Sequence, residues 1–421
     1  MKKIVSIFTI LLFLVSLGDN LALAEKVTIT YWWSWGGSMV DAMQKMVDKF
    51  NKTHPDIEVK MTFVEAGAWE TYEKLQTAIA AGSPPDAAHF ERSFVDQWAA
   101  KGLFLPLDEY LTTEERTGKD FLPFTWDEVV YKGKVYAIPL DTDIRGLLWN
   151  RDLFEAAGLP DRAPKTLAEL DKFAEKLTKF DEKGKVQTIG FVPWWGNWFF
   201  PAWSWTFGGN IADRKTLKIT ANDPKNIQAL EWVTSYAKKY GVQAIASFGA
   251  GFTGGVNNPF FMGKEGMEAN GVWMVGQIKR YAPKLNYDVA PVPHPPGGAN
   301  GTWCGGFCNV IPKGSKHPKE AAEFIKWLGQ EEAQLDVYRL LEHIPTNKKA
   351  LDKVRVMVDP KERKFYAQFP VAHGRPPLWV RIFNECLTVV DEAIYGKKTP
   401  KQALDDMQTR LEQAFKEFFG K

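Results

Sequence analysis

Apolar and polar positions along the first part of the chain switch repeatedly between the period of a strand and that of a helix. From Val27 to Tyr31 apolar residues alternate with threonine, the pattern of a half-buried strand. Gly36-Gly37-Ser38 then opens a segment with Val40, Met43, Val47 and Phe50 at helical spacing, closed by His54-Pro55. Ile57, Val59, Met61 and Phe63 alternate with Glu58, Lys60 and Thr62, which predicts a second strand. A second helix carries Tyr72, Leu75 and Ile79 on one face and stops at Gly82. This βαβα rhythm predicts an α/β domain with a largely parallel sheet. Ligands of such sheets sit outside the carboxyl ends of the strands, where Trp33, Trp35 and Glu65 fall.

A second α/β stretch begins near residue 144. Thr166 and Glu169 predict a capping box ahead of Leu167, Leu170, Ala174 and Leu177. Pro291 to Gly298 reads as a Pro/Gly-rich loop leading into a crossing between domains. Helices are predicted from Pro318, with Ala321, Phe324, Ile325 and Leu328 inward, and from Pro400. The latter has Thr399 as N-cap and Leu404, Met407, Leu411 and Phe415 inward.

The N-terminus has a different character. Lys2 and Lys3 precede an apolar run from Ile4 to Leu17, and Ala22-Leu23-Ala24 supplies a small-x-small exit. Residues 1–24 therefore read as a secretory signal peptide, too short to span a membrane, with cleavage expected after Ala24. This segment carries no cysteine to take a lipid, so the expected destination is the periplasm, in soluble form. The length of 421 residues favours two or three domains, and 45% hydrophobic residues allow a sizeable core. A net charge of +2 argues against the basic face that a nucleic-acid binder needs. No cationic run suggests binding at a membrane surface.

The 17 tryptophans change the picture, because they cluster. One group is Tyr31-Trp32-Trp33-Ser34-Trp35, and another is Trp194, Trp195, Trp198, Trp203 and Trp205. Any single indole packs well in a core, and Trp32, Trp126, Trp149, Trp232 and Trp327 are assigned there. Clusters interrupted by Gly or Pro are harder to bury together. Their flat faces suit the C–H face of a pyranose ring. Other chemistry has no signature: there is no H-E-x-x-H, C-x-x-C, phosphate loop or G-x-S-x-G elbow. The six histidines are dispersed, so neither a metal site nor a cofactor is expected. An extended segment from Cys304 to Cys308 spans about 13 Å, too far for a disulfide, whereas a turn at Gly305-Gly306 would permit one. The sequence leaves that open.

Taken in order, these segments resemble the family 1 extracellular solute-binding proteins, the group that includes maltose-binding protein. The resemblance runs over nearly all of the chain after residue 24. It rests on FNKTHP (50–55), AAGSPPD (80–86), GLFLPLDEYL (102–111), YAIPLDTD (136–143), LWNRDLF (148–154) and Gly208-Gly209. It continues through FMGKEGM (261–267), NGVW (270–273), IPKGSKHP (311–318) and IPTN (344–347). What it implies is two α/β lobes, each a mainly parallel sheet flanked by helices, joined by a hinge. Three crossings are expected near Asp141–Asp143, Trp303–Phe307 and Pro345–Lys349. The N-terminal lobe would hold residues 25–141 and 304–345, and the C-terminal lobe residues 142–303 and 346–421. The implied function is a monomeric binding protein that closes on a sugar and delivers it to the permease subunits of an ABC importer.

Carried over residue by residue, Asp141 and Asp143 precede Ile144-Arg145-Gly146 and present carboxylates to sugar hydroxyls. Glu91, five residues after Asp86, does the same, with Arg92 beside it. Trp273 of NGVW matches a stacking residue, and the clustering of Trp194, Trp195 and Trp198, read from the sequence itself, makes them further candidates. Gly306-Phe307 matches the cleft floor, and Trp379 is a further aromatic contact with Arg381 as its polar partner. Carboxylates accept from two hydroxyls at once, and Arg offers a planar donor fork.

Competing readings stand beside these. Asp141, Asp143 and Arg145 suit an ion-pair network between lobes, and Arg92 a solvated neighbour of Glu91. A glycoside hydrolase would pair two of Glu91, Asp141 and Asp143 at about 5–5.5 Å. A third reading is a family member that takes a non-sugar solute such as a polyamine or metal chelate, and the Trp and Phe excess beside Arg disfavours polyamines. His89, His373 and Arg375 leave an acidic sugar open.

Overall fold

The computed structural model describes residues 26–64 and 68–420. The signal-peptide reading and Glu65 therefore lie outside the described residues. Two sheets organise the chain. The first has five strands in the order Ile57–Phe63, Val27–Trp33, Ala87–Glu91, Phe307–Val310 and Ala137–Pro139. Its first three strands are parallel, with Tyr31 opposite both Met61 and Ala87. Alternation places Ile29, Tyr31 and Trp33 on the core face, fully buried. The helix Ser38–Thr53 covers that face with Met43, Met46, Val47 and Phe50.

The second sheet has three strands, with Arg145–Asn150 between Met267–Gly271 and Tyr287–Ala290. A parallel bridge from Ile189 to Glu265 extends it by one more segment. Both faces are covered. Leu147 and Trp149 pack in one core with Met267 and Ala269, whereas Leu148 packs in another with Tyr287 and Val289.

The expectation of a mainly parallel sheet in each lobe holds for strand direction, since a single strand in each sheet runs against the others. It is corrected for pairing, which is half antiparallel in the first sheet and antiparallel between all three strands of the second. Arg145–Asn150 is antiparallel to both of its neighbours, and Phe307–Val310 is antiparallel to both of its own. These are the two strands that enter a sheet directly from the other sheet. A chain arriving that way starts at the end where the remaining strands finish, so it must run against them.

Local signals act where the sequence places them. Thr399 and Gln402 form a reciprocal capping box, with Pro400 in the first turn. The box at Thr166 is only half formed. Thr166 accepts from the Glu169 N–H, but the Glu169 carboxylate bonds the Lys165 N–H at 2.7 Å and is gripped by Arg162 at 2.7 and 2.8 Å. Arg162 chiefly, with the Lys165 N–H, holds that carboxyl down at about 2. Cys304 and Cys308 are free, buried thiols. They belong to different cores, and the Cys308 thiol donates to the Phe90 carbonyl.

Candidate functional site

The segments between the sheets meet one another. Asp141–Thr142 pairs with Ile344–Pro345, and Thr302–Trp303 pairs with Ala372–His373. Arg92, one residue beyond the strand Ala87–Glu91, is completely buried among them. Its Nε donates to Glu128 at 2.8 Å, and its Nη groups donate to the carbonyls of Asp141 and Gly305. The Arg92 N–H bonds the Gly306 carbonyl at 3.1 Å. Gly306 has φ +132°, and a side chain there would collide with the Asp141 carbonyl and the Arg92 guanidinium. Asp141 is buried, with one oxygen accepting the Phe307 N–H at 2.6 Å and the other 2.5 Å from His343 Nδ1. Arg92 and Asp141 thus tie the connecting segments together through bonds that are all internal.

Asp143 and Arg145 form a second group, joined to the first at Gly305. The Asp143 carboxylate pairs with Arg145 Nη1 and accepts the Gly305 N–H. Arg145 Nε donates to Asn197 at 3.0 Å. Its guanidinium lies 3.4 Å from the ring centre of Trp303 and 4.9 Å from that of Trp273. Asp143 keeps 26% of its side chain exposed. That leaves a carboxylate already oriented by Arg and open to a partner.

Glu91 anchors the third group. It pairs with Arg375 and accepts from Ser93 Oγ at 3.0 Å. Arg375 also reaches Ser93 Oγ at 3.1 Å, and its N–H donates to Glu128 at 2.6 Å. Its guanidinium sits 5.1 Å from the Trp303 ring centre and 5.4 Å from that of Trp379. Burial lowers the Arg375 guanidinium to about 10, and its Nε has no partner.

Trp35 completes the aromatic surface, with ring centres 4.3 Å from His343 and 4.6 Å from both His89 and Phe307. His89 is buried and bonded to Ser34 Oγ at 2.7 Å. Burial first, and His343 second, push its pKa well below the ordinary histidine value, so it is neutral.

The structure thus brings together Trp35, Glu91, Arg92, Asp141, Asp143, Arg145, Trp273, Gly306 and Phe307. Other candidates are placed elsewhere. Trp33 and Trp198 are sealed in the two main cores, at 0% and 1% exposure, because their positions fall on core-facing sides. Trp194 and Trp195 pack partly buried against the second core. Trp379 stays at the edge of the Glu91–Arg375 group, 5.4 Å from the guanidinium, but is buried against Trp303 and Phe383. Arg381 bonds Glu385 one helical turn away and stays half exposed, so the helix Trp379–Ile394 carries it outward. Sequence reasoning missed Trp303, Glu128, Asn197 and His343 as site residues. Two of them had a signal in the sequence: Trp303 opens the expected second crossing, and His343 stands beside IPTN. A cavity of about 640 Å³ lies between Thr216–Pro224 and the C-terminal helix, away from these groups.

Residues 36–335 match the family described as bacterial extracellular solute-binding proteins, which is more than half of the chain. The chain belongs to that family. Among solved structures, this solute-binding protein is similar to CpMnBP1 with mannotriose bound. Identity there is 32%, the match covers 92% of this chain and 100% of that one, and the TM-score is 0.78. It is also similar to an ABC transporter solute-binding protein from Thermotoga lettingae bound with α-D-tagatose. That match has 26% identity, covers 92% and 99% of the two chains, and has a TM-score of 0.73. A maltotriose-binding protein of Pyrococcus abyssi is 24% identical over 89% of this chain and 78% of that one. The fold is accordingly the two-lobed α/β architecture of these binding proteins. No helix among the described residues is long and apolar enough to cross a membrane.

Proposed function

We propose that this solute-binding protein captures a carbohydrate between its two lobes and delivers it to the permease of an ABC importer. The carrying observation is the partly exposed indole of Trp273 beside Arg145 and Asp143, between the two sheets, with buried Trp303 packed against the Arg145 guanidinium. Flat indole faces and a charge-assisted donor–acceptor set match a pyranose, which offers C–H faces above and hydroxyls at its rim. The sugars named for similar proteins, mannotriose, tagatose and maltotriose, support the reading. In it, residues 25–141 and 304–345 form one lobe, and 142–303 and 346–421 the other. The protein acts as a monomer in the periplasm after cleavage behind Ala24.

Binding without cleavage is part of the proposal. Glu91 and Asp143 are each engaged by an arginine, and Asp141 by His343 and a backbone N–H. A glycosidase needs a carboxyl free to give up a proton to the leaving oxygen.

A thermal-shift screen against neutral, acidic and oligomeric sugars tests the reading. A ligand at 100 times its Kd adds about 2.7 kcal/mol of stability. A hit should also lower the radius of gyration, because closure follows only from contacts to both lobes. Stabilisation by no sugar, or release of smaller sugars during incubation, would overturn it.

A further inference from the structure

The strand Met267–Gly271 and the turn before it carry two carboxylates that the proposed sugar site does not use. Glu265 is 1% exposed and Glu268 is 4% exposed. Asn270 donates to Glu268 Oε1 at 2.7 Å, but Glu268 Oε2 and Glu265 Oε1 have no hydrogen-bond partner. Among the described residues, no lysine or arginine pairs with either. Burial drives both carboxyls up, and for Glu265 the neighbouring Glu268 adds to it. Buried oxygens of this kind without donors are costly to a fold unless something fills them.

Both residues line a cavity of about 400 Å³. Trp195, Phe252 and Asn258 supply other parts of its wall. Trp195 stands close against Gly249, where even a methyl group would press on the indole, so this wall is set by packing. The cavity therefore offers two buried carboxyl groups, each with an unpartnered oxygen, and two aromatic rings.

We propose that this cavity is a second binding site, which takes an organic ammonium group. An ammonium brings N–H donors to unpartnered oxygens and a positive charge that favours the ionised form of carboxyls which burial otherwise holds protonated, and it gains from the aromatic faces. A neutral hydroxyl could donate but would bring no positive charge to stabilise the ionised carboxylates. The group could come from an amino sugar or from a small alkylamine. The inference does not depend on the sugar reading of the gap between the sheets.

The test is calorimetry on the full chain with matched probes at neutral pH. Glucosamine is compared with N-acetylglucosamine, and butylamine with butanol. The charged member of at least one pair should bind saturably, and its neutral partner at least tenfold more weakly. Binding by glucosamine alone assigns the site to amino sugars, and binding by both amines to the ammonium group itself. Glu265→Gln and Glu268→Gln should each weaken the ammonium probe at least tenfold, while Asp143→Asn should leave it unchanged. If a Gln variant fails to fold, the charged-against-neutral comparison and the Asp143→Asn result decide between them. The proposal falls if neither amine binds, if neutral partners bind equally well, or if both folded Gln variants keep full affinity. Loss of the ammonium probe in Asp143→Asn would also overturn it.

Discussion

Glu91 and Arg375 form an ion pair between the end of a first-sheet strand and the segment that follows Ala372–His373, 284 positions along the chain in numbering. Both side chains are largely shielded from solvent, at 14% and 11% exposure. Removing one partner would leave the other charge poorly solvated, whereas removing both would not. Arg375→Met should therefore destabilise the protein by about 3 kcal/mol, and Glu91→Gln combined with Arg375→Met by clearly less than the two single changes together. Urea denaturation of all four proteins measures the coupling. Strict additivity would mean that the pair contributes nothing.

Asp143 has the exposure and orientation to meet a ligand, unlike Asp141, whose oxygens are both engaged internally. Asp143→Ala should weaken sugar binding by about 1.5–3 kcal/mol, the range for hydrogen bonds to charged groups. Calorimetry with the sugar found in the screen reads it directly. Unchanged affinity with lowered stability would make the Asp143–Arg145 pair purely structural.

Trp273 contributes a ring face to Arg145 and is only partly buried. Trp273→Ala should cost about 1–3 kcal/mol of sugar affinity, by analogy with other stacking on aromatic side chains. It should also lose much of the ligand-induced change in tryptophan fluorescence. Because Trp33 and Trp198 are sealed in cores, conservative changes there should alter stability and leave affinity near the parent value.

Asp96 sets a pH dependence. Burial raises its carboxyl to about 6, despite the nearby Arg214 at 3.6 Å. The raised value means that folding favours the protonated form. This contribution is fully present below the unfolded value near 4 and is lost as pH rises through 6. It should amount to roughly 2–3 kcal/mol over that window. Asp96→Asn should remove the slope, so its stability relative to the parent should improve between pH 4 and 7. A constant difference across that range would contradict the assignment.

The chain pattern by itself determined a strand from Val27 to Tyr31, which the structure extends to Trp33, the strand Ile57–Phe63, the helices between and after them, and the capped C-terminal helix. These depend on period, caps and breakers within a few residues, so local sequence carries them. Ordered motifs carried the family as well. The direction of Arg145–Asn150 was not legible, because it follows from which sheet the chain has just left. The same holds for site membership. Trp33 and Trp35 are two positions apart, yet one is sealed in the core and the other stands against His343 and Phe307. Trp303 and Arg375 meet Arg145 and Glu91 only once distant segments converge. An indole or a guanidinium is the same group in a core, on a surface or over a ligand. What surrounds it decides its role, and packing across the chain supplies those surroundings.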